Sequence, residues 1–209
     1  MRTTFTIIFI IVSVVFTQGQ IPGRFTTYSV KDGLSQSSVH AIHRDKDGLL
    51  WIGTQDGLNS FDGNTFLTYR YNNLDTTTIS DQFILKILED KKGNLWVGTR
   101  NGLNFFNKYT RKFKRYYINQ EEKHQFQSSY EKLFLINDDS LLIDNQGLFL
   151  LETKSGKYTK IIPPDLKPGK WIIGSLNKVY FINNDNHVFY SKDWRKGKFI
   201  KLGESEVNM

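Results

Sequence analysis

No cysteine occurs in the 209 residues, which excludes disulfide frameworks, thiolate metal sites and cysteine nucleophiles together. Proline is scarce, with four copies, so no proline-rich linker or extended recognition tract is present. Long apolar runs are missing beyond Phe16, and a bilayer-spanning helix needs roughly 20 such residues. Nor does an apolar period of 3.6 residues persist for three turns anywhere after the start, so little helix is expected.

What is there begins with an export signal. Met1-Arg2 supplies a short positive start, an apolar stretch runs from Phe5 to Phe16, and Thr17-Gln18-Gly19 offers small residues before a cleavage site. This reads as a cleaved signal peptide over residues 1–19, with cleavage before Gln20 and delivery to the periplasm. The formal net charge is +7, with lysine and arginine dispersed along the chain. Dispersed charge reads as a solvated surface, and attraction to an acidic polysaccharide is the sharper alternative. Nucleic acid is not expected as a partner of an exported chain.

The segment DKDGLLWIGTQDGLNSFDGNTF returns as DKKGNLWVGTRNGLNFFNKYTRKF. Trp51 matches Trp96, Gly53 matches Gly98, and Gly57-Leu58-Asn59 matches Gly102-Leu103-Asn104, each 45 residues apart. SLLIDNQGLFLLETKSGKY is a weaker third copy, with Leu141 in the tryptophan position and Gly147-Leu148 at the glycine-leucine step. GKWIIGSLNKVYFINNDNHVFYSKDWRKGKF reads as a shorter fourth unit ending at Phe199. Periods of this length punctuated by glycine are the signature of propeller blades.

Within one repeat, Val39 to Arg44 alternates and is rich in β-formers, Asp45 to Gly48 is a tight turn, and Leu49 to Thr54 is a second strand. Gln55-Asp56-Gly57 turns the chain again, Leu58 to Phe61 makes a third strand, Asp62-Gly63-Asn64 turns it, and Thr65 to Arg70 makes a fourth. Asp81 to Leu88 holds the position of an inner strand in the second repeat. The expected fold is therefore all-β, with blades of four antiparallel strands at about 25–66, 66–113, 113–158 and 158–199. Trp51, Gly53, Gly57 and Leu58, with Trp96, Gly98, Gly102 and Leu103, form the expected blade core. A tryptophan and the glycine two positions later share one sheet face, and a bulky side chain opposite a bare backbone suits packing between blades.

LLWIGTQDGLNSFDG and NLWVGTRNGLNFF resemble the two-component regulator propeller repeat, and the opening FTTYSVKDGLSQSSVHAIHRDKDGLLWIGT resembles the start of the periplasmic sensors that carry it. The match spans Phe25 to Phe113. The resemblance implies paired seven-bladed propellers, a β-sandwich, a membrane helix, a histidine kinase, a receiver and a DNA-binding region, with the propellers perceiving oligosaccharides. Of these, the sequence shares only the first blades. The expectation is an incomplete propeller at residues 20–209, in which terminal blade faces left unburied favour self-association. It would be an exported segment that binds an oligosaccharide for signal transduction, with the remainder of a sensor kinase as its missing partner and no membrane tether of its own. A protein-binding propeller scaffold and a non-functional product of a truncated sensor gene are the alternatives.

Candidate chemistry is sparse. The Asp45 to Gly48 stretch lacks the alternating ligands and later glutamate of a calcium loop, and its repeat at Asp90 to Gly93 drops a carboxylate but keeps the turn. No metal and no cofactor are expected. His40 and His43, three apart on a strand, should point to opposite faces, and His124 and His187 stand alone. Most acidic residues sit in turns instead of opposing one another across a cavity, so a binding module and not an enzyme is expected. Phe25, Tyr28, Phe66, Tyr69, Phe113 and Tyr116 recur as Phe-x-x-Tyr, read as packing between blades in preference to sugar-stacking platforms. Topology places the loop before the inner strand beside the turn between strands two and three. That brings Ser35, Gln36 and Ser37 near Gln55 and Asp56, and Thr77 and Thr78 near Arg100 and Asn101, as candidate ligand contacts.

Overall fold

A computed structural model describes residues 25–118, 130, 132–137, 139–144, 148–161, 169–173, 179–183, 187–191 and 200–202. The signal-peptide reading, His124, Gly147 and Phe199 fall outside the described residues.

Among the described residues sixteen strands form four antiparallel sheets of four, each in sequential order. The first sheet comprises β1 (Val39–Arg44), β2 (Leu50–Thr54), β3 (Gly57–Phe61) and β4 (Phe66–Tyr69). The second comprises β5 (Ile84–Glu89), β6 (Leu95–Thr99), β7 (Gly102–Asn107) and β8 (Lys112–Tyr116). The third comprises β9 (Lys132–Asn137), β10 (Ser140–Asp144), β11 (Leu148–Glu152) and β12 (Tyr158–Lys160). The fourth comprises β13 (Gly169–Ile173), β14 (Val179–Asn183), β15 (Val188–Ser191) and β16 (Ile200–Lys201). A single 3-10 turn at Val30–Asp32, capped by Ser29, precedes the first sheet.

The turns explain why the strands fall where they do. The Gly48 N–H donates to the Asp45 carbonyl at 2.9 Å, closing the first hairpin, and the Asp45 carboxylate accepts from the Asp47 and Leu49 N–H groups. Gly57 sits at φ 122° and Gly102 at φ 125°, in the left-handed region that a side chain disfavours. Asp62 accepts from the N–H groups of both Asn64 and Thr65 at 2.8 Å, an Asx turn that reverses the chain into β4.

The first three sheets pack face to face through the repeated residues. One buried cluster joins Trp51 and Leu58 of the first sheet to Ile84, Ile87, Leu95, Val97, Phe106 and Phe113 of the second. A second cluster joins Trp96, Leu103 and Tyr116 to Leu133, Leu141, Ile143 and Leu151 of the third. Leu141, which stands in the tryptophan position, is fully buried, so the third repeat keeps the slot and changes its occupant. A Cβ on Gly53 would come within 2.5 Å of Ile84 Cγ2, and one on Gly98 would overlap the Tyr130 carbonyl oxygen. The glycine after each tryptophan is therefore where the next sheet closes in.

The recurring aromatics divide. Tyr69 lies 5.0 Å from Phe106 and 5.9 Å from Trp51, ring to ring, and Tyr116 lies 5.5 Å from Trp96. These residues pack between sheets. Phe25 does not, being 95% exposed, and Tyr28 covers the outer face of the first sheet by an edge contact with Phe61 at 4.7 Å.

Candidate functional site

The chain enters each sheet through a polar staple. The Ser35 N–H donates to Asn59 Oδ1 at 3.1 Å, Asn59 Nδ2 donates back to Ser35 Oγ at 2.8 Å, and Ser35 Oγ lies 2.8 Å from Thr54 Oγ1. The second sheet repeats it with Ser80, Asn104 and Thr99 at 2.8, 2.9 and 3.0 Å. Buried Asn59 and Asn104 also donate to the strand carbonyls of Ile52 and Val97. These bonds satisfy polar groups that burial would otherwise penalise. The signal was visible as the pairs Leu34-Ser35 and Ile79-Ser80 at the repeat spacing.

The expected loop face does form, but many of its groups are already engaged. Ser35 belongs to the staple. Gln36 accepts from the Ser38 N–H through its side-chain oxygen. Asp56 holds the Arg70 guanidinium at 3.0 and 3.2 Å. The Asn101 N–H donates to the Thr99 hydroxyl at 3.2 Å. Thr77 bonds Asp75, and the Thr78 hydroxyl bonds the Asn72 and Asp75 carbonyls and Arg115, so both stabilise the loop between the first two sheets. Ser37 is exposed.

Gln55 and Arg100 are brought into one row across the boundary between the first two sheets. Gln55 Nε2 is 3.3 Å from His40 Nε2, the His40 ring lies 4.7 Å from the Phe83 ring, and the Arg100 guanidinium sits 3.9 Å over Phe83. A backbone bond from the Gly57 N–H to the Gln82 carbonyl at 2.8 Å ties the two sheets beside it.

The place of His40 in this row follows from a bulge. The β1–β2 register passes from Val39↔Thr54 to Ala41↔Gly53 and skips His40, and a bulge breaks strict alternation and re-aims a side chain. The expectation that His40 and His43 face opposite ways is therefore corrected. Both reach the second sheet, His40 at Phe83 and His43 at Glu89, where Nε2 lies 3.4 Å from Oε2.

Below this row, the inner strands β1, β5 and β9 line a groove of about 470 Å³. Its titratable lining residues among those described are His40, Lys86 and Lys132. Lys132 is paired with Asp144 at 3.1 Å, whereas Lys86 has no ion pair among the described residues.

The turns at the other end of the sheets carry a charge cluster. Lys108 Nζ lies 2.8 Å from both Asp45 Oδ2 and Asp47 Oδ2 and 3.4 Å from Glu89 Oε1. Burial disfavours the ammonium, but hydrogen bonds and attraction to Asp45 and Asp47 outweigh it and hold Lys108 above the ordinary lysine range. Burial likewise opposes ionisation of Asp45, and bonds from Lys108, Trp51 and Leu49 overcome it, leaving its carboxyl below the usual value. The aspartates of this turn thus hold a lysine of the neighbouring sheet.

Four-stranded sheets in sequential order, the first three stacked face to face with glycine at both contacts between them, define β-propeller blades. Residues 33–56 and 78–101 match the model of the two component regulator propeller family. Over 56 residues it is 59% identical to histidine kinase P4 of Formosa agariphila, an alignment covering 27% of this chain and 4% of the kinase. Its fold is similar to an extracellular domain attributed to the hybrid two component system BT3049 of B. thetaiotaomicron, with TM-score 0.65 and 22% identity over 86% of this chain and 26% of that one. A second such domain, from BT4673 of the same organism, gives TM-score 0.59 and 21% identity over 82% of this chain and 26% of that one. The chain thus spans about a quarter of these extracellular domains. Among the described residues no helix is long and apolar enough to cross a membrane.

Proposed function

We propose that this chain is a propeller segment of an exported hybrid two-component sensor and that its loop face takes up an oligosaccharide without turning it over. The observation that carries this reading is the row Gln55, His40, Phe83 and Arg100, whose His40 also lines the groove, in a chain with two segments that match the regulator propeller model. Amide, imidazole and guanidinium groups around an open groove suit a ligand rich in hydroxyls. Of the nearby carboxylates, Asp56 and Asp144 are held by Arg70 and Lys132 and Asp81 accepts from the Phe83 N–H at 2.7 Å, so none faces a second free carboxylate, which supports binding over acid-base chemistry. Residues 1–19 direct the chain to the periplasm, and a kinase completes the signalling unit. Ligand binding signals by favouring one of two arrangements of the blades.

Titrating the full chain, produced with its own leader, against a panel of short oligosaccharides by calorimetry tests this. Saturable binding to at least one sugar is expected, weakened about tenfold, or about 1.4 kcal/mol, in Arg100→Ala. Binding to none of them overturns the reading. A protein-binding role is the second reading, favoured by the exposure of Val39 and Ile42 on the inner strand β1. Capture of a protein partner without any sugar binding would select it.

A further inference from the structure

We infer that the inner groove selects oligosaccharides carrying anionic groups, with Lys86 as the residue that meets the anion. This rests on the reading of the chain as an oligosaccharide sensor and adds the charge class of its ligand. The argument is one of sign. His40, Lys86 and Lys132 line the groove, and no carboxylate lines it among the described residues. Arg100 stands over Phe83, whose ring also meets that of the groove residue His40. Of the carboxylates beside these residues, Asp144 is taken by Lys132 at 3.1 Å, and Asp81, which feels the Arg100 charge, accepts from the Phe83 N–H at 2.7 Å outside the groove lining.

Lys86 is different. It is half-buried on the inner strand β5, and no acidic side chain among the described residues pairs with it. An anion in the groove would meet it without displacing an acidic partner, and partial burial makes that attraction stronger than on an open surface. The backbone assists the placement. The β5–β6 register passes from Ile84↔Thr99 to Lys86↔Gly98, repeating the bulge that re-aims His40 in β1. His40 and Lys86 therefore lie at or beside a bulge on their inner strands.

Carboxylated and sulfated sugars share this chemistry, and the experiment separates them. The full chain is titrated with a short oligogalacturonide, a short sulfated galactan fragment and a neutral cello-oligosaccharide at low and at physiological salt. Either anionic ligand is expected to bind at least about tenfold tighter than the neutral one and to weaken as salt rises. Lys86→Gln should remove most of that preference, Lys86→Arg should keep it, and Lys91→Gln, in the turn at the other end of the sheets, should change nothing. Unfolding curves confirm that each variant is folded. If Lys86→Gln does not fold, Lys86→Arg and the salt dependence decide alone.

A neutral sugar that binds as tightly as the anionic ones, with no salt dependence, overturns the charge selection and leaves the oligosaccharide reading intact. Failure of every sugar to bind overturns both. Binding of the carboxylated ligand alone assigns a uronic-acid ligand, and binding of the sulfated one alone assigns a sulfate ester.

Discussion

The first and second sheets are built on one template, yet they treat the nitrogen of their tryptophan in opposite ways. Trp51 Nε1 donates to Asp45 Oδ2 at 2.8 Å. Trp96 Nε1, equally buried, finds no hydrogen-bond partner among the described residues. The aspartate is present in both turns, so the difference lies in its neighbours. In the first turn Leu49 contributes only its N–H to the carboxylate, leaving the other oxygen for Trp51 and Lys108. In the second, Asn94 replaces the leucine and offers its side-chain amide to both oxygens of Asp90, at 3.3 and 3.5 Å. One substitution in a turn thus diverts a buried acceptor from its indole, which teaches that the packing slot is the stricter part of the repeat and its polar wiring the looser part.

The largest effect that would break this symmetry is expected at the glycines. Gly98→Ala should destabilise by about 3 kcal/mol, because the new methyl meets the Tyr130 backbone. Gly53→Ala should cost about half as much, since its methyl meets only side chains of Ile84 and Ala41. Urea unfolding midpoints measure both, and equal costs would show that the two contacts are equivalent.

Next in size is the lysine that the first sheet's turn recruits from the second sheet. Lys108→Ala should cost about 2 kcal/mol near neutral pH, because it strands the Asp45 carboxylate, whose side chain is 1% exposed. The Asp45 pKa is lowered on folding. Its stabilisation is therefore fully present above the unfolded aspartate value of about 3.9 and is lost as pH falls from there through the lower folded value. The variant should show a flatter fall in stability below that pH than the parent. An unchanged acid limb in thermal unfolding would remove Lys108 from this role.

The smallest effect sharpens the comparison itself. Asn94→Leu should free Asp90 for Trp96 and stabilise by about 1 kcal/mol, and Leu49→Asn should do the reverse in the first sheet. If denaturant midpoints move in neither variant, the turn neighbour does not control the indole bond.

Much of this architecture was legible beforehand. The strands of the first repeat lie within one residue of their expected limits, since turn glycines and aspartates at fixed positions leave a four-stranded meander few other places to bend. The tryptophan-glycine pairing was readable from period-two alternation. The candidate site was less so. Ser35, Gln36, Asp56 and Asn101 were expected to face a ligand, but local geometry engages the first three through their side chains and the last through its N–H. Gln55 and Arg100 fall into one row with His40 and Phe83 across the first two sheets, a pairing that no loop argument would choose.

By itself, then, the sequence determined the repeat length, the four strands of each blade and the residues that key one blade to the next, because these depend on alternation and turn chemistry within a few neighbours. The bulge that turns His40 toward Phe83, the ring of carboxylates around Lys108 and the cationic groove between three inner strands were decided by tertiary structure. Each joins side chains from different blades, and their meeting is set by how the sheets stack, a distance and an angle that no local pattern encodes.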